Sequence, residues 1–429
     1  MKRFLRRFTL VLVALLAPAL APSSASAQEA AVSAQARSIF EEARDSIAQI
    51  RVLLGGSNSH TSTGTGFVVG VGGIMLTNYH VVADKALEPD VYRLEFVLPN
   101  GRRGALRILA LDVVHDLAVV QGDVGDARPL PLRESLLSKG DRAFSLGYPL
   151  DQGITVTEGT YNGRSEEQYY EQLHFTGALN PGMSGGPATD SRGRVFGINV
   201  ASHHSGQLVN FLVPVKYATR LLSRATAAGQ SDLRKEIGAQ LRSHGEELMA
   251  TLLKESMSVE KLSEFSLPGK IGDVMRCGAS TDREIEQWYA VDTYGCHINS
   301  SLYIDSRLHT GTISFRHSIL RSDRLGPLRF AHLQESRFTG RGGRGYDRKH
   351  HTRYACRDSV VAIKGTRAKM VMCVRTYKQF KGLYDVILKL ATIDNSELAL
   401  HSNLDMQGVS FEAATTFARR YIERFEWSR

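Results

Sequence analysis

The residues best suited to chemistry are a serine, a histidine and an aspartate in three separate segments. Ser184 lies in the run NPGMSGGP at residues 180–187, where glycines let the backbone turn tightly and expose its N–H groups. An acyl-transfer nucleophile needs this setting, because each N–H group aimed at the developing oxyanion contributes about 3 kcal/mol. We expect the N–H groups of Gly182 and Ser184 to form this oxyanion hole. A glycine-rich hairpin with an incidental serine is the structural alternative.

His80 and Asp116 are the candidate general base and the residue that orients it. His80 follows the stretch LTNY at residues 76–79, and Asp116 precedes the apolar stretch LAVV at residues 117–120. Each residue alone has an ordinary explanation, since such a histidine can be a packed residue and such an aspartate a turn former. In combination with Ser184 they predict a catalytic triad.

Short apolar runs that alternate with glycine-rich turns over residues 43–215 indicate the framework that positions these side chains. Many short strands at this spacing, with almost no helical periodicity, are typical of an all-β sandwich or barrel. The predicted strands are 47–52, 66–69, 74–77, 93–98, 117–120, 142–146, 195–200 and 211–213. From residue 216 to about 254, apolar residues recur at helical spacing and predict one broken or two successive amphipathic helices.

Taken in series, these segments resemble the trypsin-like peptidases of bacteria, nearest to the HtrA (Deg) proteases. The resemblance covers residues 64–69, the three segments around the candidate triad, and residues 197–199 and 211–214. The chain order His, Asp, Ser is that of chymotrypsin-type enzymes and differs from the orders of subtilisin and the α/β-hydrolases. The resemblance implies two six-stranded barrels with His80, Asp116 and Ser184 at their junction, and Gly182 at the oxyanion-hole position.

The sequence departs from the family pattern at two places, and the substrate pocket follows from the family analogy. Met183 stands where HtrA proteases usually have asparagine and digestive proteases have aspartate, so activation by pairing with a freed N-terminus is not expected. The PDZ domains of the family have no convincing counterpart. By analogy, Ala178 is the pocket floor, with Asn199, Val200 and Ala201 along one wall. Without an aspartate at the floor, we expect small or medium aliphatic residues to be preferred before the scissile bond.

All four cysteines lie in the second half of the chain and suggest a second, disulfide-bonded domain. In an oxidising compartment an even number of cysteines predicts two disulfides, although three connectivities are open. We favour Cys277 with Cys296 and Cys356 with Cys373, because each pair flanks one short strand-rich stretch. A structural zinc site is disfavoured, since no pair has the close spacing that such sites use.

The sequence from about residue 256 to residue 429 indicates an α+β domain. A final helix is predicted over residues 411–427 with Ser410 as its N-cap. The glycine- and arginine-rich residues 340–346 and the basic residues 348–351 favour a solvated loop over a polyanion site. Predicted strands lie near 302–304, 312–316, 360–363, 370–374 and 386–391.

The N-terminus predicts export. Four basic residues within positions 2–7 precede a largely apolar run at 10–20, and Ala-Ser-Ala at 25–27 supplies small residues where a signal peptidase would cut. We expect residues 1–27 to be a cleaved signal and the mature protein to be periplasmic or secreted. Pro18 and Pro22 disfavour an uncleaved anchor. The formal net charge of +9 falls once the signal is removed, and the mild basicity that remains says little about partners. We expect polypeptide substrates and no nucleic-acid partner.

The sequence therefore predicts a mainly β protein. Its expected parts are a signal peptide (1–27), a chymotrypsin-like double β-barrel (28–222), a helical linker (223–258) and a C-terminal α+β domain with disulfides (259–429). The expected function is a serine endopeptidase that hydrolyses polypeptides through an acyl-enzyme, without metal or organic cofactor.

Three other functions compete with this prediction. The first is a catalytically inactive binding protein on the protease fold, and the second is a surface-interaction protein whose C-terminal domain carries the function. The third is an esterase, because residues 182–186 match the pattern G-x-S-x-G. The strand-rich context and the order of the triad disfavour the esterase.

Overall fold

The computed structural model describes residues 33–166, 169–200, 209–227, 232–282, 288–338 and 347–427. The predicted signal peptide at residues 1–27 and the glycine- and arginine-rich residues 340–346 lie outside these ranges. Within them, no helix combines the length and the hydropathy that crossing a bilayer would require.

The first barrel is a closed antiparallel sheet of six strands in the order β1-β2-β3-β6-β5-β4. Helix α1 (Ala34–Ala43) precedes it, and helix α2 (Tyr79–Leu87) connects β3 to β4. The strands are β1 (Ile47–Leu54), β2 (His60–Gly70), β3 (Ile74–Thr77), β4 (Tyr92–Val97), β5 (Arg103–Asp112) and β6 (Leu117–Gln121). Fully buried side chains fill its interior, among them Ile50, Val68, Met75, Phe96 and Val120.

The second barrel is also closed and has the strand order β10-β11-β12-β9-β8-β7. Its strands are β7 (Arg142–Gly147), β8 (Thr155–Arg164), β9 (Leu173–Phe175), β10 (Pro187–Thr189), β11 (Val195–Val200) and β12 (Asn210–Pro214). Together the two barrels confirm the predicted chymotrypsin-like architecture. The sequence did not predict β5, β8, β9 and β10. Burial does not alternate regularly along β5, β8 is half-buried and rich in polar residues, and the other two strands have three residues each.

Two helices, α3 (Val215–Ala227) and α4 (Leu233–Lys254), follow the second barrel. Asp232 is the N-cap of α4, since its side chain accepts hydrogen bonds from two backbone N–H groups of the first turn. Ile237 and Leu241 pack into the core of the first barrel, whereas Leu248 and Leu252 pack into the core of the residues that follow. One helix therefore belongs to two hydrophobic cores.

Over its described residues, the C-terminal region, which the sequence predicts as a domain of residues 259–429, contains antiparallel sheets and two helices. A seven-stranded sheet has the order β15-β16-β19-β23-β22-β21-β20, a three-stranded sheet has the order β13-β14-β24, and β17 pairs with β18 alone. The elements are β13 (Met257–Leu262), β14 (Phe265–Ile271), β15 (Arg276–Asp282), β16 (Ala290–His297), β17 (Leu302–Asp305), β18 (Leu308–Thr310), β19 (Ile313–Arg321), α5 (Gly326–Phe338), β20 (Ala355–Ile363), β21 (Thr366–Thr376), β22 (Tyr384–Thr392), β23 (Leu398–Val409), α6 (Phe411–Ile422) and β24 (Glu426–Trp427).

Two local expectations for the C-terminal region need correction. Ser410 does cap α6, accepting a hydrogen bond from the backbone of Ala413, but the helix ends at residue 422 instead of 427. The chain leaves the helix because Trp427 stacks on Phe265 and pairs with β14. The basic residues 348–351 are not simply a solvated loop, since His350 is buried there against a carboxylate.

Two disulfides join the outermost strands of the seven-stranded sheet to their inner neighbours. Cys277 on β15 is bonded to Cys296 on β16, and Cys356 on β20 is bonded to Cys373 on β21, which confirms the favoured pairing. Within each pair the two cysteines lie directly opposite one another in the antiparallel register. Strand β15 is exposed along its whole length and β20 along most of it, so burial contributes little to holding either edge. The covalent bonds reinforce the backbone ladders that pair these edge strands with their neighbours.

We expect the double variant Cys277→Ser/Cys296→Ser to lower the free energy of unfolding of the C-terminal region by about 3 kcal/mol. The reason is that the bond links residues 19 positions apart and restricts the unfolded chain. Urea unfolding followed by tryptophan fluorescence measures this, because both tryptophans, Trp288 and Trp427, lie in that region. Ser280→Ala, exposed on the same strand, is the matched control. An unchanged urea midpoint in the double variant would contradict this role of the bond.

Candidate active site

His80 and Asp116 are joined by two hydrogen bonds at the start of α2. Asp116 Oδ2 lies 2.6 Å from His80 Nδ1, and Asp116 Oδ1 accepts a hydrogen bond of 2.8 Å from the backbone N–H of His80. Asn78, the N-cap residue of α2, makes no side-chain capping bond to the helix, and its side chain donates to the carbonyl of Asp116 instead. The carboxylate of Asp116 thus caps the helix from outside, where the N-terminal end of the helix dipole favours negative charge.

The backbone of Asp116 adopts an uncommon conformation that aims its carboxylate at α2. Its φ of 54° lies in the left-handed region, which aspartate tolerates better than most residues. Asp116 is the last residue of the turn that connects β5 to β6, and the next residue already belongs to β6. The connection between β5 and β6 therefore places the carboxylate of Asp116 next to the first turn of α2.

The electrostatics of the pair favour a proton on His80. Burial by itself lowers the pKa of His80, but the charge of Asp116 and the hydrogen bond to it outweigh burial and raise this pKa above its ordinary value. In the neutral imidazole, Nδ1–H donates to the carboxylate and Nε2 is left as a proton acceptor. About a quarter of the His80 side chain is exposed, so the ring is accessible from the surface.

Ser184 lies in the loop between β9 and β10, and two glycines define the shape of that loop. Gly182 has a φ of 96° and Gly185 has a φ of 85°. A Cβ atom at Gly182 would lie 2.3 Å from the carbonyl oxygen of Tyr148, and one at Gly185 would lie 2.3 Å from that of Thr65. Both positions therefore require glycine, for conformation and for space.

Thr65 on β2 connects this loop to the first barrel. Its backbone N–H donates to the carbonyl of Ser184 at 2.8 Å, and its hydroxyl donates to the carbonyl of Gly182 at 2.7 Å. The same hydroxyl accepts a hydrogen bond of 3.0 Å from the backbone of Tyr148 in the second barrel. Thr65 is fully buried, and these bonds position the Ser184 loop against the first barrel.

The segment that leads into His80 is in direct contact with the same loop. The hydroxyl of Thr77 donates to the carbonyl of Thr65 at 2.7 Å. A Cβ atom on Gly185 would lie 2.4 Å from that hydroxyl and 2.9 Å from the backbone nitrogen of Asn78. The residue after Ser184 is therefore packed against the two residues that precede Tyr79 and His80.

Asn199, one of the predicted pocket residues, lies beneath the Ser184 loop. Its side chain is fully buried and donates to the carbonyls of Leu146 and Met183 at 3.2 and 3.3 Å. Its Oδ1 accepts a hydrogen bond of 2.9 Å from the hydroxyl of Ser145. These bonds tie the loop to β11 and β7, and they occupy the polar atoms of the side chain. Met183 is also fully buried, in contact with Gly147.

The other predicted pocket residues lie nearer the surface. Ala178 is exposed, Val200 is partly exposed, and Ala201 lies outside the described residues. Sequence reasoning did not identify the role of Thr65, although the pattern GTG at residues 64–66 was part of the family resemblance. It also did not identify Tyr303, whose ring contacts that of His80. No local sequence pattern predicts a contact between Tyr303 and His80, because the two residues are far apart along the chain.

Among the residues that the structure describes, no group of three or more His, Cys, Asp or Glu side chains is arranged to hold a metal ion. The site contains a hydrogen-bonded histidine–aspartate pair beside a glycine-rich serine loop. Such a set can move a proton between a serine hydroxyl and a substrate.

Comparisons with known proteins match the same part of the chain. The family model of the trypsin-like peptidase domain matches residues 64–198. The "Probable periplasmic serine endoprotease DegP-like" of Chlamydia trachomatis serovar D is 31% identical over 179 residues, which cover 39% of this chain and 34% of that protein. The "Putative serine protease HhoA" of Synechocystis sp. is 35% identical over 189 residues, which cover 42% of this chain and 46% of that protein.

Among solved structures, the serine endoprotease from Yersinia pestis is similar over 46% of this chain and 69% of that chain, with 24% identity and a TM-score of 0.41. The chain spans between a third and a half of the length of the two curated relatives. The family match includes His80, Asp116 and Ser184. Residues 64–198 of this chain therefore match the trypsin-like peptidase domain, and the relatives that are similar to this part of the chain are named as serine proteases.

Proposed function

We propose that the protein is an exported serine endopeptidase that hydrolyses polypeptides through Ser184, His80 and Asp116. One observation carries the proposal. The Ser184 loop is packed against the segment that immediately precedes Tyr79 and His80, and His80 is hydrogen-bonded to Asp116. Both relatives have names that describe serine proteases, and this supports the reaction class.

An extracytoplasmic location is part of the proposal. The relative from Chlamydia trachomatis is named as a periplasmic protein. Two disulfides in the C-terminal region are in keeping with an oxidising compartment. Cleavage of a signal peptide at about residue 27 would deliver the chain there.

The reaction begins when Ser184 Oγ attacks the carbonyl carbon of the scissile peptide bond and its proton passes to His80 Nε2. Asp116 keeps the imidazole in the correct tautomer and stabilises the imidazolium. The backbone N–H groups of Gly182 and Ser184 stabilise the oxyanion. As the C–N bond breaks, His80 protonates the leaving amine and an acyl-enzyme remains. Water then attacks the ester, again giving its proton to His80, which returns it to Ser184 as the acid product leaves.

Variants of the three proposed catalytic residues test the assignment. We expect Ser184→Ala and His80→Ala each to reduce kcat by about 10⁴-fold or more on an unfolded protein substrate, with little further loss when they are combined, because the residues act as a unit. Ser138→Ala, an exposed serine in the connection between β6 and β7, is the matched control. Cleavage that persists in Ser184→Ala would refute the proposal.

A fluorophosphonate probe distinguishes the protease from an inactive binding protein on the same fold. An active enzyme should be labelled at Ser184, and the label should be absent from Ser184→Ala. A wild-type protein that binds unfolded substrate and remains unlabelled would favour the binding protein.

The pKa of His80 predicts the pH dependence. Only neutral His80 accepts the proton of Ser184, and Asp116 raises the pKa of His80 above 6.5, so kcat/KM should rise with pH through a midpoint above that value. In Asp116→Asn the causes that raise the pKa are removed while burial remains, so the midpoint of the residual activity should move to lower pH. Asp112→Asn is the matched control, because Asp112 pairs with His115. Equal midpoints in wild type and Asp116→Asn would contradict this electrostatic role.

The proposed pocket predicts cleavage after small or medium aliphatic residues. A lysine or arginine side chain in a pocket without a carboxylate would lose hydration and gain no ion pair. We expect Ala178→Asp to add cleavage after lysine and arginine, with Ala178→Ser as the uncharged control. Sequencing of the peptides released from a denatured protein measures both patterns. Dominant cleavage after basic residues by the wild type would show that Ala178 is not the floor.

A further inference from the structure

The hairpin β17–β18 of the C-terminal region is packed against the segment that carries His80. Its residues Leu302, Ile304 and Leu308 are buried and belong to the same hydrophobic core as the interior of the first barrel. The hydroxyl of Tyr79, the first residue of α2, donates to the carbonyl of Ile304 at 3.1 Å. A contact with the residue next to His80 therefore fixes the hairpin in place.

A row of aromatic rings leads from His80 onto the hairpin. The ring of Tyr303 meets that of His80 edge to face, with centroids 5.7 Å apart, and it contacts Tyr79 in the same way at 6.2 Å. Tyr303 also meets the ring of His309 edge to face, with centroids 5.2 Å apart. Tyr303 and His80 are partly exposed and His309 is exposed, so the three rings contribute to one accessible surface.

Contacts on the far side hold the hairpin to the rest of the C-terminal region. His350 Nε2 lies 2.6 Å from Asp305 Oδ2 at the end of β17, and both side chains are buried. The hydroxyl groups of Thr310 and Tyr377 are 2.6 Å apart, and Tyr377 donates to the buried Asp385 at 2.7 Å. The hairpin is therefore held from two sides, and its position beside His80 does not depend on substrate.

A bound polypeptide has to pass this surface. When Ser184 attacks, the scissile bond must lie within reach of His80 Nε2. A substrate side chain that flanks this bond then lies beside the protein group that adjoins the imidazole. In this structure the adjoining group is Tyr303, supplied by the C-terminal region. Burial, with added repulsion from Asp84 and Asp305, raises the pKa of Tyr303 far above its ordinary value, so the ring remains uncharged at all working pH values.

We propose that Tyr303, with His309 beside it, forms a wall of the substrate cleft and selects an apolar side chain at a position flanking the scissile bond. This inference rests on the proposed function. A large uncharged ring favours apolar partners, because their contact removes apolar surface from water without leaving a polar group unpaired. The C-terminal region is then a part of the specificity apparatus of the protease.

The test measures kcat/KM for matched peptides that carry leucine or glycine at each position flanking the scissile bond. We expect the wild type to prefer leucine by about tenfold at one such position. Tyr303→Ala should reduce that ratio towards one, and Tyr303→Phe should retain it. Trp288→Ala is the control, since Trp288 is an exposed aromatic residue of the C-terminal region that packs against Arg324.

Three outcomes would overturn the inference. If Tyr303→Ala keeps the wild-type ratio of kcat/KM for leucine and glycine peptides and its cleavage still requires Ser184, Tyr303 does not form a wall of the cleft. The proposed function is then unaffected. A uniform loss of kcat/KM on all peptides in Tyr303→Ala, together with a lower melting temperature, would show that Tyr303 contributes only to packing. Cleavage by the wild type that does not depend on Ser184 would refute the proposed function and the inference with it. If Tyr303→Ala does not fold, the exposed His309→Ala must lower the ratio.

Discussion

The hydrogen bonds of Thr65 act at the junction of two barrels that share no strand. His80 and Asp116 belong to the first barrel and Ser184 belongs to the second, so no backbone ladder sets the distance between them. Thr65 donates through its N–H to Ser184 and through its hydroxyl to Gly182, and that hydroxyl also accepts from Tyr148. A threonine suits this position because one hydroxyl can donate and accept at once. A change there would leave buried carbonyl and N–H groups without partners, at a cost of about 1–3 kcal/mol each.

Asp116 combines a structural and a proposed chemical task in one carboxylate. One oxygen accepts from the backbone at the start of α2, and the other accepts from the ring of His80. The backbone bond fixes the carboxylate relative to the helix, and the helix in turn carries the imidazole. A replacement of Asp116 therefore affects the helix terminus and the charge beside His80 together, which is why a shift in the pH profile is more informative than a loss of rate.

The C-terminal region is more closely joined to the double barrel than a tethered module would be. Helix α4 contributes to the core of the first barrel at one end and to the core of the C-terminal region at the other. Hairpin β17–β18 enters the first of these cores, and Lys349 forms an ion pair with Glu88, which follows α2. Buried apolar contacts of this kind oppose independent movement of the two parts. The edges of the seven-stranded sheet, by contrast, bury little and are secured by disulfides.

Local patterns in the sequence determined much of this architecture. The alternation of apolar runs and glycines predicted eight strands of the double barrel, Ser410 predicted the start of α6, and the spacing of cysteines favoured the pairing that the structure contains. These features succeed because period, capping and turn conformation depend on neighbouring residues. Strands such as β8, which is half-buried and polar, lack such a period and were missed.

Only the tertiary structure decided which of these segments meet. The end of α6 depends on Trp427 reaching Phe265, and the environment of His80 depends on Tyr303, more than two hundred positions away along the chain. The sequence by itself determined the candidate triad, its order and the glycines around Ser184. Tertiary structure determined that Thr65 joins the two barrels and that a hairpin of the C-terminal region adjoins the imidazole. The physical reason is that such contacts come from the packing of separately formed elements against one another. Local residue type and spacing do not indicate which distant elements pack together.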